Sequence, residues 1–379
     1  MTGYRCDLCE SKNLMRTYAP LMSRRKATIY VCNTCGLVQS FLRGRNDLKK
    51  QPRLSYGADF GNLRYHKGIM ASRAITFLRR SIDIKKRKHI LDIGSNRGDI
   101  LQRLRRIHPL ARFTGVEPDR RVIGSYSSKE WLRIYGGRFE ETRFKAGSFD
   151  LIVCFHTLEH VDSGRAFLEK IRRILSPEGV LYLEVPNLDA IGEKAIVEEF
   201  FIDKHRYFYD RSTLSRLLAV CGFKVLAEEI RTISLGMVAA KTEKDISPRF
   251  AGPASLIKLK IKRYENDLTK NISHLHTLTD FIRRNSGKRI ILWGAGRIFN
   301  ALISHTDLKP RDIGGVVDTF LIADTIRGFK ILRPERSRKI RPDMVIIMSR
   351  EYAGEIRKKA RKIYGKGVRV ISYKELLNV

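Results

Sequence analysis

Two glycines in one short turn and an acidic residue at the end of the next strand are the residues best suited to hold a ligand. The segment LDIGSNRG (91–98) has the pattern of an apolar strand followed by a glycine-bearing turn and a helix, and GVEPD (115–119) ends the next strand. Gly94 and Gly98 allow the backbone to approach a ligand closely. Glu117 lies about 20 positions after the turn, where a carboxylate can accept both hydroxyls of a ribose. The pattern predicts a strand–helix–strand unit that binds a nucleoside.

The composition of this turn separates it from a dinucleotide loop. A pyrophosphate loop has the pattern G-x-G-x-x-G, whereas here Asp92 precedes the first glycine and Asn96 replaces the middle one. A carboxylate beside the turn repels phosphate and attracts a cation. S-adenosylmethionine carries a sulfonium and an ammonium group, so we expect it as the cofactor, with Asp92 facing the ammonium group and Asn96 within the site. Glu140 is a candidate for the adenine edge, and a solvated surface glutamate is the alternative.

Four of the six cysteines form two C-x-x-C pairs near the N-terminus. Cys6 and Cys9 are followed after 22 residues by Cys32 and Cys35. This spacing is typical of a zinc ribbon, and four thiolates fill a tetrahedral site. We therefore expect a structural Zn²⁺ with no open coordination position. A redox dithiol, which needs only one pair, is the alternative.

The formal net charge of +34 is distributed unevenly over the 379 residues. Residues 1–90 include 20 basic and 5 acidic residues, residues 91–240 include 23 and 21, and residues 241–379 include 31 and 14. The basic flanks favour an anionic partner such as a nucleotide-linked substrate, RNA or an acidic membrane surface, and solvated charged faces are the alternative. No apolar run is long enough to span a membrane, so we expect a cytoplasmic protein.

Predicted strands and helices alternate from residue 89 to residue 240, which indicates an α/β fold with a doubly wound sheet and an antiparallel edge. The segment SPEG (176–179) predicts a turn between a helix at 167–175 and a strand at 180–185. A second glycine-bearing turn, WGAG (293–296), followed by GGVVD (314–318), predicts a smaller Rossmann-like domain. Phe299 stands where a dinucleotide fold would have its third glycine, so we expect no bound NAD there.

The chain resembles the class I S-adenosylmethionine-dependent methyltransferases in the segments LDIGSNRG, GVEPD, SFDLIVCFHTLEHV and SPEGVLYLEVPN. Its three-part order is similar to that of the sugar C-methyltransferases that act on nucleotide-linked deoxysugars. The resemblance implies a zinc-binding module at 1–50, a methyltransferase domain at 51–243, a linker and long helix at 244–284, and a Rossmann-like domain at 285–379.

In that group a Glu-His pair assists proton removal from carbon. Here His205 matches the histidine, but Lys204 stands in place of the glutamate, and His156 stands where the group favours asparagine. The resemblance therefore implies methyl transfer and leaves carbon or oxygen as the acceptor atom. We take His205 as the first candidate base, followed by His160 and His156, with capping or packing roles as the alternatives. Tyr56 and Tyr65 are candidates to close over the cofactor or to pack.

Two functions of different classes follow from these features. The first is methylation of a small, nucleotide-linked sugar whose phosphates are attracted by the basic flanks. The second is an RNA methyltransferase or RNA-binding protein that uses the basic flanks to hold a phosphate backbone. The second lacks the N/D-P-P-Y type of signature, because the chain has Val185-Pro186-Asn187 at the corresponding place. The sequence does not determine the acceptor, the oligomeric state or any ligand of the C-terminal domain.

Overall fold

The computed structural model describes residues 4–21, 23, 25–42, 68–119, 123, 130–193, 196–243, 254–321, 324–350 and 352–377. Tyr56 and Tyr65 lie outside the described residues, as does the predicted boundary between residues 50 and 51. The chain divides into two compact units. The first contains Met1–Asn62, His66–Ala190 and Phe201–Ile261, and the second contains Leu63–Tyr65, Ile191–Phe200 and Lys262–Val379.

Within the described residues, the first unit is built mainly of β-strands. The strands are β1 (Leu14–Tyr18), β2 (Ala27–Cys32), β3 (Val38–Leu42), β4 (His89–Ile93), β5 (Arg112–Glu117), β6 (Leu132–Gly136), β7 (Phe149–Phe155), β8 (Leu175–Pro186), β9 (Tyr207–Phe208), β10 (Phe223–Ile230) and β11 (Ser234–Lys241). The helices are α1 (Gly68–Ser81), α2 (Asp99–Ile107), α3 (Gly164–Ile174), α4 (Arg211–Val220) and the beginning of α5 (Ala254–Arg284). Short 3₁₀ helices occupy Ile84–Lys86, Phe139–Glu141, Leu158–His160 and Leu188–Gly192.

A small antiparallel sheet carries the N-terminal cysteines. Its strand order is β1-β2-β3-β9, so the edge strand comes from a distant part of the chain. Val38 pairs with Phe208 and Gln39 pairs with Tyr207. Strand β2 is buried along its whole length, which its apolar run ATIYVC predicts. The pairing fixes the segment that follows His205 against this sheet.

The main sheet has the order β10-β11-β8-β7-β4-β5-β6. Strands β6, β5, β4, β7 and β8 run parallel, whereas β11 pairs antiparallel with both β8 and β10. Strand β7 (FDLIVCF) is buried except at Asp150, as expected for a parallel strand covered on both faces. The predicted doubly wound α/β sheet with an antiparallel edge is confirmed.

The prediction of a turn at 176–179 between a helix and a strand is wrong, because these residues belong to β8. Helix α3 ends at Ile174, one residue before the predicted end, and β8 begins at Leu175. Leu175 pairs with Phe149 and Val180 pairs with Leu151. Four residues of β8 therefore lie opposite the single residue Asp150. The segment SPEG forms an outward bulge within a strand, because Pro and Gly suit an interruption of the hydrogen-bond ladder.

Local sequence signals explain how the helices of the first unit begin. The side chain of Ser163 accepts a hydrogen bond from the backbone N–H of Ala166 at the start of α3. Asp210 and Thr213 form a reciprocal capping box at the start of α4. Helix α2 follows Gly98 directly, and Gly98 has a φ of 73° in the left-handed region. Ser and Asp are common at helix starts, and Gly tolerates the left-handed conformation.

The second unit contains the remainder of α5 and a second sheet. Its described strands are β12 (Ile290–Trp293), β13 (Gly315–Val317), β14 (Thr325–Ile326), β15 (Phe329–Leu332), β16 (Met344–Ile347) and β17 (Arg369–Ser372), in the order β14-β15-β13-β12-β16-β17. Its helices are α6 (Arg297–His305), α7 (Ala353–Tyr364) and α8 (Tyr373–Leu377), with 3₁₀ helices at Pro310–Asp312 and Arg336–Ile340. All neighbouring strands are parallel except β14 and β15. Across the described residues, no helix has the length and apolarity that crossing a bilayer requires.

Candidate functional site

A pocket with a cavity volume of about 90 Å³ lies at the carboxyl ends of β4, β5 and β7. Ligands of doubly wound sheets bind at this end of the strands. The pocket contains four of the predicted cofactor residues and two of the predicted catalytic histidines. Its lining consists of Ile93, Gly94, Asn96, Val116, Glu117, Pro118, Arg138, Phe139, Glu140, Phe155, His156, Thr157, His160, Val161 and Phe167.

The turn after β4 has a left-handed backbone at two of its residues. Gly94 has a φ of 77°, and Asn96, a residue that tolerates this region, has a φ of 47°. A Cβ atom on Gly94 would overlap the hydroxyl oxygen of Thr157, which donates a hydrogen bond to the carbonyl of Ile93 at 3.1 Å. Gly94 is therefore required both by its backbone conformation and by a close neighbour. Gly98 begins α2 and lies outside the pocket lining.

Glu117 organises this turn from the end of β5. Its Oε2 accepts the backbone N–H of Asn96 at 2.8 Å, and its Oε1 accepts the backbone N–H of Asp119 at 2.9 Å. The residue is only 5% exposed. Glu117 thus lies in the pocket with its carboxylate beside the glycine turn, and its contact with a ribose stays a prediction.

Asp92 lies deeper than the other predicted cofactor residues. It is the fourth residue of β4, pairs with Gly115 and Val153, and is 2% exposed. It does not belong to the described lining of the pocket. Its contact with a cofactor ammonium group stays a prediction.

Glu140 lies at the mouth of the pocket with a side chain that is 31% exposed. Arg138 forms ion pairs with Glu140 at 2.8 Å and with Asp162 at 3.1 Å. The ammonium group of Lys170 donates hydrogen bonds to the carbonyls of Phe139, Glu140 and Thr142 at 2.5, 3.0 and 2.6 Å. Burial, with the charge of Arg173 adding to it, lowers the pKa of Lys170 even though Glu140 acts in the opposite direction. Lys170 therefore fixes the turn that presents Glu140, a role that its sequence position did not reveal.

The three predicted catalytic histidines surround one buried carboxylate, that of Glu159. Its Oε1 lies 3.4 Å from Nδ1 of His156 and 3.8 Å from Nε2 of His160. The rings of His160 and His205 are 4.9 Å apart between centroids. His156 and His160 line the pocket, whereas His205 lies behind His160. Sequence reasoning selected the histidines of HTLEH but missed Glu159, which is 1% exposed.

The carboxyl group of Glu159 is ionised at neutral pH. Burial by itself raises its pKa, but the charge of His160 and the hydrogen bond from His156 oppose burial. Together with the charges of His156 and His205, they lower the pKa to about 2. The cluster thus contains a fixed negative charge that faces three imidazoles.

A second buried carboxylate lies beside His156. Glu184 Oε1 is 3.8 Å from His156 Nε2, and Glu184 accepts a hydrogen bond from the hydroxyl of Tyr182. Burial is the largest cause that raises the pKa of Tyr182, followed by the charge and hydrogen bond of Glu184. His156 has a φ of 49°, and its N–H donates to the carbonyl of Glu184 at 2.8 Å. The ring of His156 is therefore held between two acidic side chains.

Backbone hydrogen bonds connect His205 to both sheets of the first unit. The N–H of Arg206 donates to the carbonyl of Glu159 at 2.8 Å, and the carbonyl of Arg206 accepts the N–H of Ser40 at 2.8 Å. The guanidinium of Arg206 pairs with Asp162 at 3.2 Å. The N-terminal sheet thus positions a histidine that lies about 45 residues after HTLEH in the sequence.

The four cysteines of the two C-x-x-C pairs converge. Cys6 Sγ lies 3.4 Å from Cys35 Sγ, Cys9 Sγ lies 3.5 Å from Cys32 Sγ, and all four sulfurs are within 4.8 Å of one another. Tetrahedral zinc with Zn–S bonds of about 2.3 Å places its sulfurs about 3.8 Å apart, so this donor set fits the ion.

Two family models match separate parts of the chain. A methyltransferase-domain family matches residues 66–228, and a C2185-like N-terminal family matches residues 286–376. The Bacillus subtilis (strain 168) protein YrhH is 22% identical over 174 residues, which are 45% of this chain and 95% of YrhH.

Solved structures are similar to part of the chain at low identity. The PH0226 protein from Pyrococcus horikoshii OT3 has a TM-score of 0.42 and 16% identity, covering 50% of this chain and 100% of that one. A SAM-dependent methyltransferase from Aquifex aeolicus has a TM-score of 0.36 and 14% identity, covering 52% of this chain and 98% of that one. The family match, the turn at Gly94 and the carboxylate of Glu117 agree with one another. Residues 66–228 are therefore a class I S-adenosylmethionine-dependent methyltransferase domain, and the protein is an S-adenosylmethionine-dependent methyltransferase.

Proposed function

We propose that the protein methylates a small anionic acceptor, and that this acceptor is a nucleotide-linked sugar. The observation that carries the proposal is the placement of His156 and His160 in the same pocket as Glu117. A nucleoside-binding carboxylate and proton-accepting side chains then line one pocket. A pocket of this kind suits a small acceptor, and the basic flanks of the chain attract the phosphates of a nucleotide-linked one.

The residues of the pocket have separate tasks in this reaction. Methyl transfer is an in-line displacement at the sulfonium, so most of the catalysis consists of positioning. Glu117 holds the ribose, Gly94 allows close approach of the backbone, and Glu140 borders the adenine side. With these contacts made, the cofactor would supply its methyl group to an acceptor in the same pocket.

His160 is the best-placed acceptor of a substrate proton. Its Nδ1 lies 3.0 Å from the carbonyl oxygen of Lys204. A carbonyl only accepts, so Nδ1 carries the hydrogen and Nε2 carries the lone pair. The carboxylate of Glu159, 3.8 Å from Nε2, stabilises the imidazolium that forms when Nε2 takes a proton. This arrangement serves a hydroxyl acceptor as well as a carbon next to a ketone.

We further infer a structural Zn²⁺ at Cys6, Cys9, Cys32 and Cys35. Four thiolates complete the coordination of the ion, which holds the N-terminal segment together and takes no part in the reaction. Asp7, between the first two cysteines, accepts hydrogen bonds from Ser163 Oγ at 2.6 Å and from the N–H of Arg165 at 3.1 Å. These bonds attach the cysteine turn to the start of α3.

RNA is the second candidate acceptor, and the charge of +34 is the observation that favours it. One experiment separates the two. The full-length protein is incubated with cofactor labelled on its methyl group and with separate pools of nucleotide sugars and of total RNA. We expect a mass increase of one methyl group in the nucleotide-sugar pool only. Label found in RNA alone would replace the proposed acceptor, while leaving the methyltransferase assignment intact.

A further inference from the structure

We propose that Glu159, His160 and His205 form a binding site for a divalent transition-metal cation beside the cofactor pocket. Among the described residues, these three and the four N-terminal cysteines are the groups whose ligand atoms lie within 4.8 Å of one another. The first group offers two imidazole nitrogens and one carboxylate oxygen. None of the functions assigned above requires that His205 lie against Glu159.

The distances agree with coordination of one ion. Ligand atoms about 2.1 Å from a metal lie at most about 4.2 Å apart. Glu159 Oε1 and His160 Nε2 are 3.8 Å apart and already satisfy this limit. The complete set lies within 4.8 Å, so binding requires a contraction of at most roughly 0.6 Å, which side-chain rotation supplies.

His160 has the environment of a metal-binding histidine. Its Nδ1 contacts the carbonyl oxygen of Lys204 at 3.0 Å, which fixes the tautomer and directs the lone pair of Nε2 toward Glu159. Histidines that bind metals usually donate their other ring nitrogen to such an acceptor. Lys204 precedes His205, so the same loop contributes one ligand and orients another.

Glu159 supplies an independent indication of a missing partner. Its residue exposure is 1%, and among the described residues its Oε2 has no hydrogen-bond partner. A buried carboxylate oxygen that accepts no hydrogen bond is costly unless a cation or an ordered water satisfies it. An ion between Glu159 and the two histidines would do so.

The backbone holds the three ligands on two tethered segments. Glu159 and His160 end the short helix Leu158–His160 that follows β7. The N–H of His205 donates to the carbonyl of Ile202 at 3.1 Å, and the next N–H, that of Arg206, donates to the carbonyl of Glu159 at 2.8 Å. The site is therefore largely formed before an ion arrives, which lowers the entropic cost of binding.

The donor set selects the class of ion. Two imidazoles and one carboxylate suit Mn²⁺, Fe²⁺, Co²⁺ or Zn²⁺, whereas Mg²⁺ and Ca²⁺ prefer oxygen ligands only. Three protein ligands leave coordination positions open, and His160 lines the pocket. A water or an acceptor oxygen can occupy those positions. An ion bound at His160 would occupy the Nε2 lone pair, so His160 accepts a substrate proton only in the metal-free enzyme. The binding of the ion does not depend on which acceptor the enzyme uses.

Mn²⁺ is the probe that tests this site, because thiolates bind it weakly and it reports little on the cysteine cluster. The full-length protein, loaded with one equivalent of Zn²⁺ so that the four thiolates take up the zinc, is titrated with Mn²⁺ while the free ion is followed by electron paramagnetic resonance. We expect saturable binding of one Mn²⁺ per chain, with nitrogen coupling from imidazole in the pulsed spectrum. Glu159→Gln and His205→Gln should each weaken binding at least tenfold and reduce that coupling or remove it.

Glu184→Gln is the matched control, since Glu184 is an equally buried carboxylate near His156 outside the ligand set. It should keep saturable Mn²⁺ binding and bind the ion more tightly than Glu159→Gln, because it removes a buried negative charge without removing a ligand. Zinc content and thermal unfolding show that each variant is folded. His205 is only partly buried, so its variant remains informative if Glu159→Gln does not fold. Absence of saturable Mn²⁺ binding, or equal binding by all variants, would overturn the proposal.

Discussion

Replacing Glu117 by glutamine tests the cofactor site with a side chain of the same shape. Each carboxylate oxygen accepts one backbone N–H, from Asn96 and from Asp119. A glutamine has one oxygen, so one of these N–H groups faces the NH₂ group and loses its partner. An unsatisfied buried donor costs about 1–3 kcal/mol, and Glu117 is 5% exposed. We expect the free energy of unfolding to fall by about that amount.

The same substitution weakens the contact with the cofactor ribose. A hydrogen bond to a charged acceptor contributes about 1.5–3 kcal/mol. Loss of one such bond corresponds to about 10- to 150-fold weaker binding of S-adenosylmethionine. Isothermal titration calorimetry measures the affinity, and urea unfolding measures the stability. A domain of ordinary stability remains folded after a loss of about 1–3 kcal/mol, so both measurements can be made on one variant.

Glu141→Gln is the control, because Glu141 is exposed and its substitution removes the same unit of negative charge as Glu117→Gln. Its affinity for the cofactor should stay within about twofold of the unmodified protein, in line with the small effect of an exposed charge. If Glu117→Gln bound the cofactor as tightly as this control, Glu117 would not contact the ribose, and the reasoning from its position at the end of β5 would be refuted.

Two further predictions concern the glycine turn and the cysteines. Gly94→Ala should lower the free energy of unfolding, measured in urea, by about 2–3 kcal/mol, because alanine is strained at the left-handed φ and its Cβ displaces the Thr157 hydroxyl. Gly287→Ala is the control and should change this free energy little, since a Cβ there meets nothing within 4 Å. Equal effects of the two substitutions would contradict the steric argument. Cys32→Ser should abolish the zinc content measured by elemental analysis and lower the unfolding temperature of the protein. Cys221→Ser, a substitution outside the cluster, should keep its zinc. Zinc retained by Cys32→Ser would exclude the four-cysteine site.

The two glycine turns of the chain differ in a way that the sequence indicated only in part. Asp318, which follows β13 as Glu117 ends β5, accepts the backbone N–H groups of Ala295, Phe320 and Leu321 at 2.9, 2.8 and 2.9 Å. Three backbone N–H groups thus occupy the carboxylate of Asp318, whereas Glu117 lines the pocket of the first unit. The absence of NAD from the second turn stays a prediction.

The local sequence pattern predicted those helices, strands and turns that depend on residues close together in the chain. The strand, turn and helix from His89 to Ile107 follow from an apolar run, two glycines and helical periodicity, all of which act within a few residues. The bulge at 176–179 was misjudged for the same reason. Pro and Gly mark a local departure from regular structure, but only the partner strand decides whether the chain turns or bulges.

The sequence by itself determined the βαβ unit, the nucleoside carboxylate Glu117 and the two cysteine pairs, since these depend on residue type at short spacing. Only the tertiary structure decided that Glu159 lies at the centre of three histidines and that His205 joins residues about 45 positions earlier. It also decided that Asp92 is buried behind the pocket lining. Strand register and the pairing of Tyr207–Phe208 with β3 set these positions, and both arise from contacts between segments that are far apart in the chain.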